Sequence, residues 1–299
     1  MDGEFHASGV LKMYFFWGGG VLYLEQLEFL LWRDQMFWGA KEGTVNIRDS
    51  YVDYVTFGNG KKILILIPGL NVKGIKGTAI PLAFMYRIFA KDYKIYVFDR
   101  IHDVPDGYMV TDMADDIASA MRQLDIKCAD VVGVSQGGMI AQALAINYSW
   151  IVHKLVLCVT LSKPNKTVKD VVRHWVEYAR KGDYKSLNRE TFTLMYSDKY
   201  LKKNRLLLPI AVHLTKPDNL SKFERLANAC ITFDNYDELT KISCPTLVLG
   251  GRKDKIVTGN ASEEIAEKLG CEIYMYDDLG HAAYDEASDF NKRIYNFLK

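Results

Sequence analysis

Six short, almost uninterrupted apolar runs, separated by segments with helical spacing, constrain the fold of this chain more than any other feature. They are KKILILIPG (61–69), KIYVFD (94–99), DVVGV (130–134), KLVLCVT (154–160), PTLVLGG (245–251) and EIYMYDD (272–278). A strand with one wet face alternates apolar and polar residues. Runs this uniformly apolar require burial on both faces, which is how the strands of a parallel sheet read. Only YVDYVTF (51–57) alternates, and the Gly58-Asn59-Gly60 that follows it has hairpin-turn chemistry. After Thr111, Met113, Ile117, Ala120, Met121 and Leu124 recur at three- and four-residue steps, with Asp112, Asp115 and Asp116 near the positive end of the predicted helix. A nearly all-apolar helix is predicted over 138–148, and amphipathic ones over 261–269 and 287–298. This alternation predicts an α/β fold, a mostly parallel central sheet flanked by helices on both faces.

The rhythm breaks over 163–240, between two strands, where VKDVVRHWVEYARKG and NLSKFERLANACITF have helical spacing and no strand is convincing. An excursion of that length inside a compact domain is usually functional. It predicts a helical cap over 163–240, inserted in a core made of 44–162 and 241–299. Residues 1–43 stand apart as an N-terminal extension. Their VLKMYFFWGGGVLYLEQLEFLLW is aromatic-rich but broken by Lys12, three glycines, Glu25 and Glu28. No stretch reaches the ~18 to 20 apolar residues that span a bilayer, and the layered pattern of a signal peptide is missing. A docking helix over 22–32 is one reading. The preferred ones are an accessory element covering the domain, or translated upstream sequence with the functional start at Met13 or Met36.

A net charge of +1 over 299 residues and no basic run argue against a nucleic-acid partner. The five cysteines, Cys128, Cys158, Cys230, Cys244 and Cys271, are odd in number and irregularly spaced. They indicate neither a disulfide framework nor a zinc site; buried reduced thiols and a cytoplasmic location are expected.

The run at 130–134 passes straight into Gly133-Val134-Ser135-Gln136-Gly137 and then into the apolar helix. This is G-x-S-x-G between a buried strand and a helix. A turn so sharp leaves no room for a Cβ at 133 or 137 and projects the serine hydroxyl. The competing reading is a tight turn in which Ser135 merely caps the helix. As a nucleophile, Ser135 needs a base matched to neutral pH. Of His6, His102, His153, His174, His213 and His281, only His281 follows the C-terminal end of a strand on a glycine-containing loop, the edge where sites assemble in open α/β sheets. Asp254, a few residues past the run at 245–251, is the expected partner that holds the imidazole. It competes with membership of a surface cluster with Arg252, Lys253 and Lys255, and Asp277 and Asp278 are the fallback acids. Donors for an oxyanion are expected from the backbone N–H groups of Gln136 and Leu70, with Gly69 letting the loop turn.

These motifs in this order resemble the α/β-hydrolase superfamily, in particular its capped branch of esterases, C–C bond hydrolases, lactonases and proline iminopeptidase-like enzymes. The resemblance runs over about residues 50–299, through LIPGL, VFDR, MADDIASAMRQLDI, GVSQGG, CPTLVLGGRKDKIV and LGHAAYDE. It implies Ser135 as nucleophile, Asp254 as acid, His281 as base and the Leu70 and Gln136 amides as oxyanion hole. Two departures stand out. Pro68-Gly69 replaces the usual His-Gly, removing a side chain that commonly braces the oxyanion loop, and RIHDVPDGY replaces a glycine-rich segment, placing His102 and Asp103 near the pocket mouth.

The expected activity is hydrolysis of small to medium carboxylic esters through an acyl-enzyme on Ser135, with no metal or organic cofactor. C–C bond, lactone or aminopeptidase chemistry on the same triad is the alternative, as is a low-turnover binding or receptor-like role. The partner is a small-molecule acyl substrate, and the sequence leaves the oligomeric state open. A chain beginning at Met36 is expected to keep its fold and esterase activity; loss of soluble protein on that truncation would rule out the upstream-translation reading.

Overall fold

In the computed structural model, the described residues are 37–209, 212, 215–217 and 219–299. The readings made for residues 1–36, together with His6 and His213, lie outside them. Eight strands form one sheet in the order β1-β2-β4-β3-β5-β6-β7-β8: β1 Lys41–Ile47, β2 Ser50–Phe57, β3 Lys62–Ile67, β4 Tyr93–Phe98, β5 Ala129–Val134, β6 Val152–Cys158, β7 Thr246–Gly251 and β8 Glu272–Tyr276. β3 through β8 run parallel, while β2 is antiparallel to both β1 and β4.

The continuous apolar runs of the inner strands are buried on both faces as expected, but the run at 272–278 is not: β8 is the edge strand, and Glu272, Ile273 and Tyr274 are exposed. Ile65 and Ile67 of β3 join one core with Val131 of β5, and Leu64 and Leu66 join the opposite core with Val132. Helices supply both cores: α1 Ala79–Met85, α2 Val110–Gln123, α3 Gln136–Asn147, α8 Gly259–Leu269, α9 Ala283–Glu286 and α10 Phe290–Leu298 flank the sheet. The described residues between β6 and β7 include the helices α4 Lys166–Arg180, α5 Tyr184–Met195, α6 Asp198–Lys203 and α7 Leu220–Thr232. Each of these four starts on a short polar residue whose side chain accepts from a first-turn amide: Asn165, Asp183, Ser197 and Asn219. Such caps satisfy N–H groups that a helix start leaves without partners.

Four further expectations change. Gly58-Asn59-Gly60 closes no hairpin, because β4 is inserted between β2 and β3. The glycines are needed instead where the chain passes under β4: a Cβ on Gly58 would lie 2.2 Å from the Tyr93 carbonyl oxygen, and one on Gly60 1.8 Å from the Asp92 carbonyl carbon. The actual hairpin joins β1 to β2 through Arg48-Asp49, with Arg48 at φ +55°, and β1 begins at Lys41, upstream of position 44. The helix predicted over 287–298 starts three residues later, at Phe290, after a separate short helix Ala283–Glu286 that the sequence reading did not include. All five cysteines are free, but only Cys158 and Cys230 are buried and Cys128 is exposed.

Strand order reverses direction at β3. The chain moves from β3 outward to β4 and then returns to β5 on the other side. A crevice opens at the C-terminal ends of strands at such a switch point, here beyond Ile67 and Val134. Among the described residues, no helix is long and apolar enough to cross a membrane.

Candidate active site

Ser135 leaves β5 at that crevice with φ +54° and ψ −119°, in a half of backbone space that residues with a Cβ avoid. The corner is held from both sides. Its N–H donates to the Cys158 carbonyl at 2.8 Å, and its carbonyl accepts from the Gly138 and Met139 amides and from the Thr160 hydroxyl at 2.7 Å. Glycine is required around it for contact reasons. A Cβ on Gly133 would lie 2.3 Å from the Gly137 oxygen, and one on Gly137 only 1.9 Å from the Ile67 oxygen. Gly138, passed over in the sequence, is as constrained, its Cβ position falling 2.6 Å from Thr160 Cβ. At Gly69 the clearance to Ser135 Cβ is 3.3 Å, tight but open to a small shift.

The Ser135 hydroxyl makes no cap on α3. His281 Nε2 lies 2.9 Å from Ser135 Oγ, and His281 Nδ1 lies 2.8 Å from Asp254 Oδ2. Asp254 Oδ1 accepts the amides of Ile256 at 2.8 Å and Val257 at 3.0 Å. A carboxylate that accepts on both oxygens draws the imidazole proton to Nδ1, which leaves Nε2 to accept from the serine hydroxyl. His281 and Asp254 are 4% and 8% exposed. A hydroxyl, an imidazole and a carboxylate joined in this order are the parts that nucleophilic acyl chemistry needs.

The neighbouring charges face away. Arg252 pairs with Asp277 and Glu263, Lys253 with Asp278, and Lys255 with Asp198, so Asp254 alone of its run turns inward. Asp277 and Asp278 are on the surface, away from His281. The other described histidines are occupied elsewhere: His153 on Asp130, His174 beside Glu190, and His102 stacked on Tyr51 with Nδ1 on Asp103.

Leu70 lines the same cavity as Ser135 and His281, and Gln136 opens α3, where a helix has no acceptor of its own for the amide. Among the described residues, neither backbone N–H donates to another group. Behind them stands a residue that the sequence reading quoted in VFDR and gave no role. Arg100, 5% exposed, donates from Nη2 to the carbonyls of Pro68 and Gly69, and from Nε and Nη2 to Gln136 Oε1. The Gln136 amide in turn donates to the Leu226 carbonyl at 2.7 Å and to Cys230 Sγ, whose thiol burial pushes up to about 11. Gly69 C=O and Leu70 N–H belong to one planar trans peptide and point opposite ways. Holding the carbonyl therefore aims the amide, and Arg100 braces the loop from which the usual histidine is missing. Its only sequence signal was its position one residue past the predicted strand 94–99.

The cavity over Ser135 measures about 320 Å³. Its walls are mostly apolar, with Leu82, Met85 and Tyr86 from around α1, and Trp175, Phe192 and Met195 from α4 and α5. These helices are tied to the core by hydrogen bonds from Asn165 to the Val257 carbonyl at 2.7 Å and from the Ala282 amide to the Met195 carbonyl at 2.9 Å. Burial raises the Tyr86 and Tyr284 phenols, which keeps them neutral.

Residues 62–288 match the family described as the alpha/beta hydrolase fold. Among curated proteins, the chain is 26% identical over 251 residues, 80% of its length and 93% of theirs, to RutD of Rhizobium rhizogenes, whose name provisionally assigns it carbamate hydrolysis. It is 23% identical over 274 residues, 87% of this chain and 93% of the other, to a 2-hydroxy-6-oxononadienedioate/2-hydroxy-6-oxononatrienedioate hydrolase of a Pseudomonas species. Among solved structures, the enol-lactonase of Burkholderia xenovorans LB400 superposes with a TM-score of 0.75 at 20% identity, covering 86% of this chain and 99% of that one.

Gly137→Ala is expected to prevent the elbow from closing, since the new methyl would sit inside the Ile67 carbonyl. Soluble yield and thermal midpoint should both fall, and a variant with the wild-type midpoint would refute the contact argument.

Proposed function

The chain belongs to the alpha/beta hydrolase family, and from that premise we propose that it is a serine hydrolase of small to medium carboxylic esters, working through an acyl-enzyme on Ser135. The observation that carries the reading is the hydrogen-bonded series Ser135, His281, Asp254 at the floor of a mostly apolar cavity.

Ser135 Oγ attacks the ester carbonyl as its proton passes to His281 Nε2, and Asp254 stabilises the imidazolium that forms. The amides of Leu70 and Gln136 receive the oxyanion, in a site where such donors are worth far more than in water. His281 returns the proton to the departing alcohol, then activates a water that releases the acid. Arg100 acts through other groups, as a positioning residue that keeps both amides aimed. The helices over 163–240 serve as a cap, setting the acyl group accepted by the shape of the apolar wall formed with Trp175, Phe192 and Met195.

The relatives' names span hydrolysis of a carbamate and of 2-hydroxy-6-oxononadienedioate, and carbamate, lactone or C–C bond chemistry on the same triad is the alternative reading. An aminopeptidase would hold a free amine with acids at the pocket. Asp237 pairs with Lys268, Glu238 with Lys241, and Asp234 caps its own turn; none of them lines the cavity over Ser135.

The test is hydrolysis of short- and medium-chain 4-nitrophenyl esters. Ser135→Ala is expected to lower kcat by about 10⁴-fold or more; rates equal to the wild type would overturn the reading. Arg100→Met is expected to lower kcat about 10- to 100-fold with little change in KM, because misaimed donors act on the transition state alone. A rise in KM at constant kcat would contradict that role.

A further inference from the structure

A second cavity, of about 270 Å³, shares the wall Gly69, Asn71, Val72 and Phe223 with the cavity that holds Ser135. Its charge is unbalanced. Arg100, Lys222, Lys73 and Lys76 line it against two carboxylates, Asp53 and Asp99. Both acids are already engaged. Asp53 takes Lys76 at 3.2 Å and the Thr44 hydroxyl at 2.8 Å, while Asp99 takes the amides of Arg100 at 2.7 Å and Ile75 at 3.2 Å.

Two cations remain without a carboxylate within ion-pair distance among the described residues and are not on open surface. Arg100 is buried, and its Nη1 has no described partner, while Nη2 holds the loop after β3 and Nε and Nη2 donate to Gln136 Oε1. Lys222 is half-buried, and its ammonium reaches only the Arg100 carbonyl at 3.3 Å. Burial pulls both groups below their ordinary range, most of all through lost hydration, and for Lys222 the neighbouring Arg100 adds to it against the attraction of Asp99, Asp53 and Asp103. Lys222 also stands in the first turn of α7, the end of a helix that favours negative charge. An anion placed between Lys222 and Arg100 would relieve all of these costs at once. A buried cation pair beside a reaction cavity is otherwise expensive to keep.

We propose that this cavity is a subsite for a carboxylate carried by the substrate, bound by Lys222 and Arg100 while the scissile carbonyl lies at Ser135. The preferred substrate is then an anionic ester, the half-ester of a dicarboxylic acid or an ester whose leaving group bears a carboxylate. The inference rests on the serine-hydrolase reading for its chemistry. Its binding half stands separately.

The experiment compares kcat/KM for the 4-nitrophenyl half-esters of succinic, glutaric and adipic acids, and for 4-carboxyphenyl esters, with uncharged esters of matched length. In the wild type at least one anionic substrate is expected to be favoured about tenfold or more, the size of one charge-assisted hydrogen bond. Lys222→Met should abolish the preference and Lys222→Arg should keep it; a purely structural role for Lys222 would lower both substrates together and leave the ratio in place. Glutarate, as a probe that needs no turnover, should raise the thermal midpoint of the wild type more than that of Lys222→Met. No anionic preference in the wild type, an unchanged ratio in Lys222→Met, or equal glutarate shifts would overturn the subsite. Ester hydrolysis that survives Ser135→Ala would remove the serine-hydrolase reading instead, with the glutarate shift still deciding the subsite.

Discussion

The contact on which the site depends is that of the first turn of α3 with the ends of β3 and β5. Gly137 stands where any Cβ would overlap the Ile67 carbonyl, and Gly133 where it would overlap Gly137 itself. That approach brings the start of a helix, with its unpartnered amides, up to the loop after β3, and it forces Ser135 into a positive φ with the hydroxyl clear of the backbone. A single side-chain methyl at either glycine would separate the strand ends from the helix. The rest of the site is arranged around a corner that only glycine permits.

Polar burial around that corner follows one rule on both sides of the serine. Asp254 is taken out of water but has two amides and an imidazole N–H on its oxygens, so its charge is spread over three donors. Arg100 is taken out of water against two carbonyls and the Gln136 amide oxygen, neutral acceptors only. A carboxylate satisfied by backbone donors holds a histidine, and a guanidinium partnered at Nε and Nη2 by neutral acceptors holds a loop. The first arrangement is closed. The second leaves positive charge facing a cavity, and the helices over 163–240 meet it through Leu226, Cys230 and Lys222.

Much of this was legible before any fold was known, because the controlling signals are local. Uniformly apolar runs at 61–69, 130–134 and 245–251, short and bounded by turn residues, read as strands covered on both sides, and Gly-x-Ser-x-Gly between strand and helix reads as a sharp corner with the serine exposed. Other features depended on which strands become neighbours. Gly58-Asn59-Gly60 reads as a hairpin turn by composition, yet β4 occupies the place of the partner strand, and the glycines answer instead to the backbone of Asp92 and Tyr93. Gly138 carried no signal because Thr160, which excludes its side chain, lies a strand away in sequence.

The sequence by itself determined the parallel sheet, the glycine-flanked corner and the candidate residues Ser135, Asp254 and His281, since each follows from apolar patterning or from chemistry placed just past a strand's end. Only the tertiary structure decided which of Asp254, Asp277 and Asp278 faces the histidine, and that Arg100 stands behind the loop after β3. Both are questions of direction. A position on a loop fixes where a side chain starts, and the packing of neighbouring strands and helices, with the hydrogen bonds left open to a buried charge, fixes where it ends.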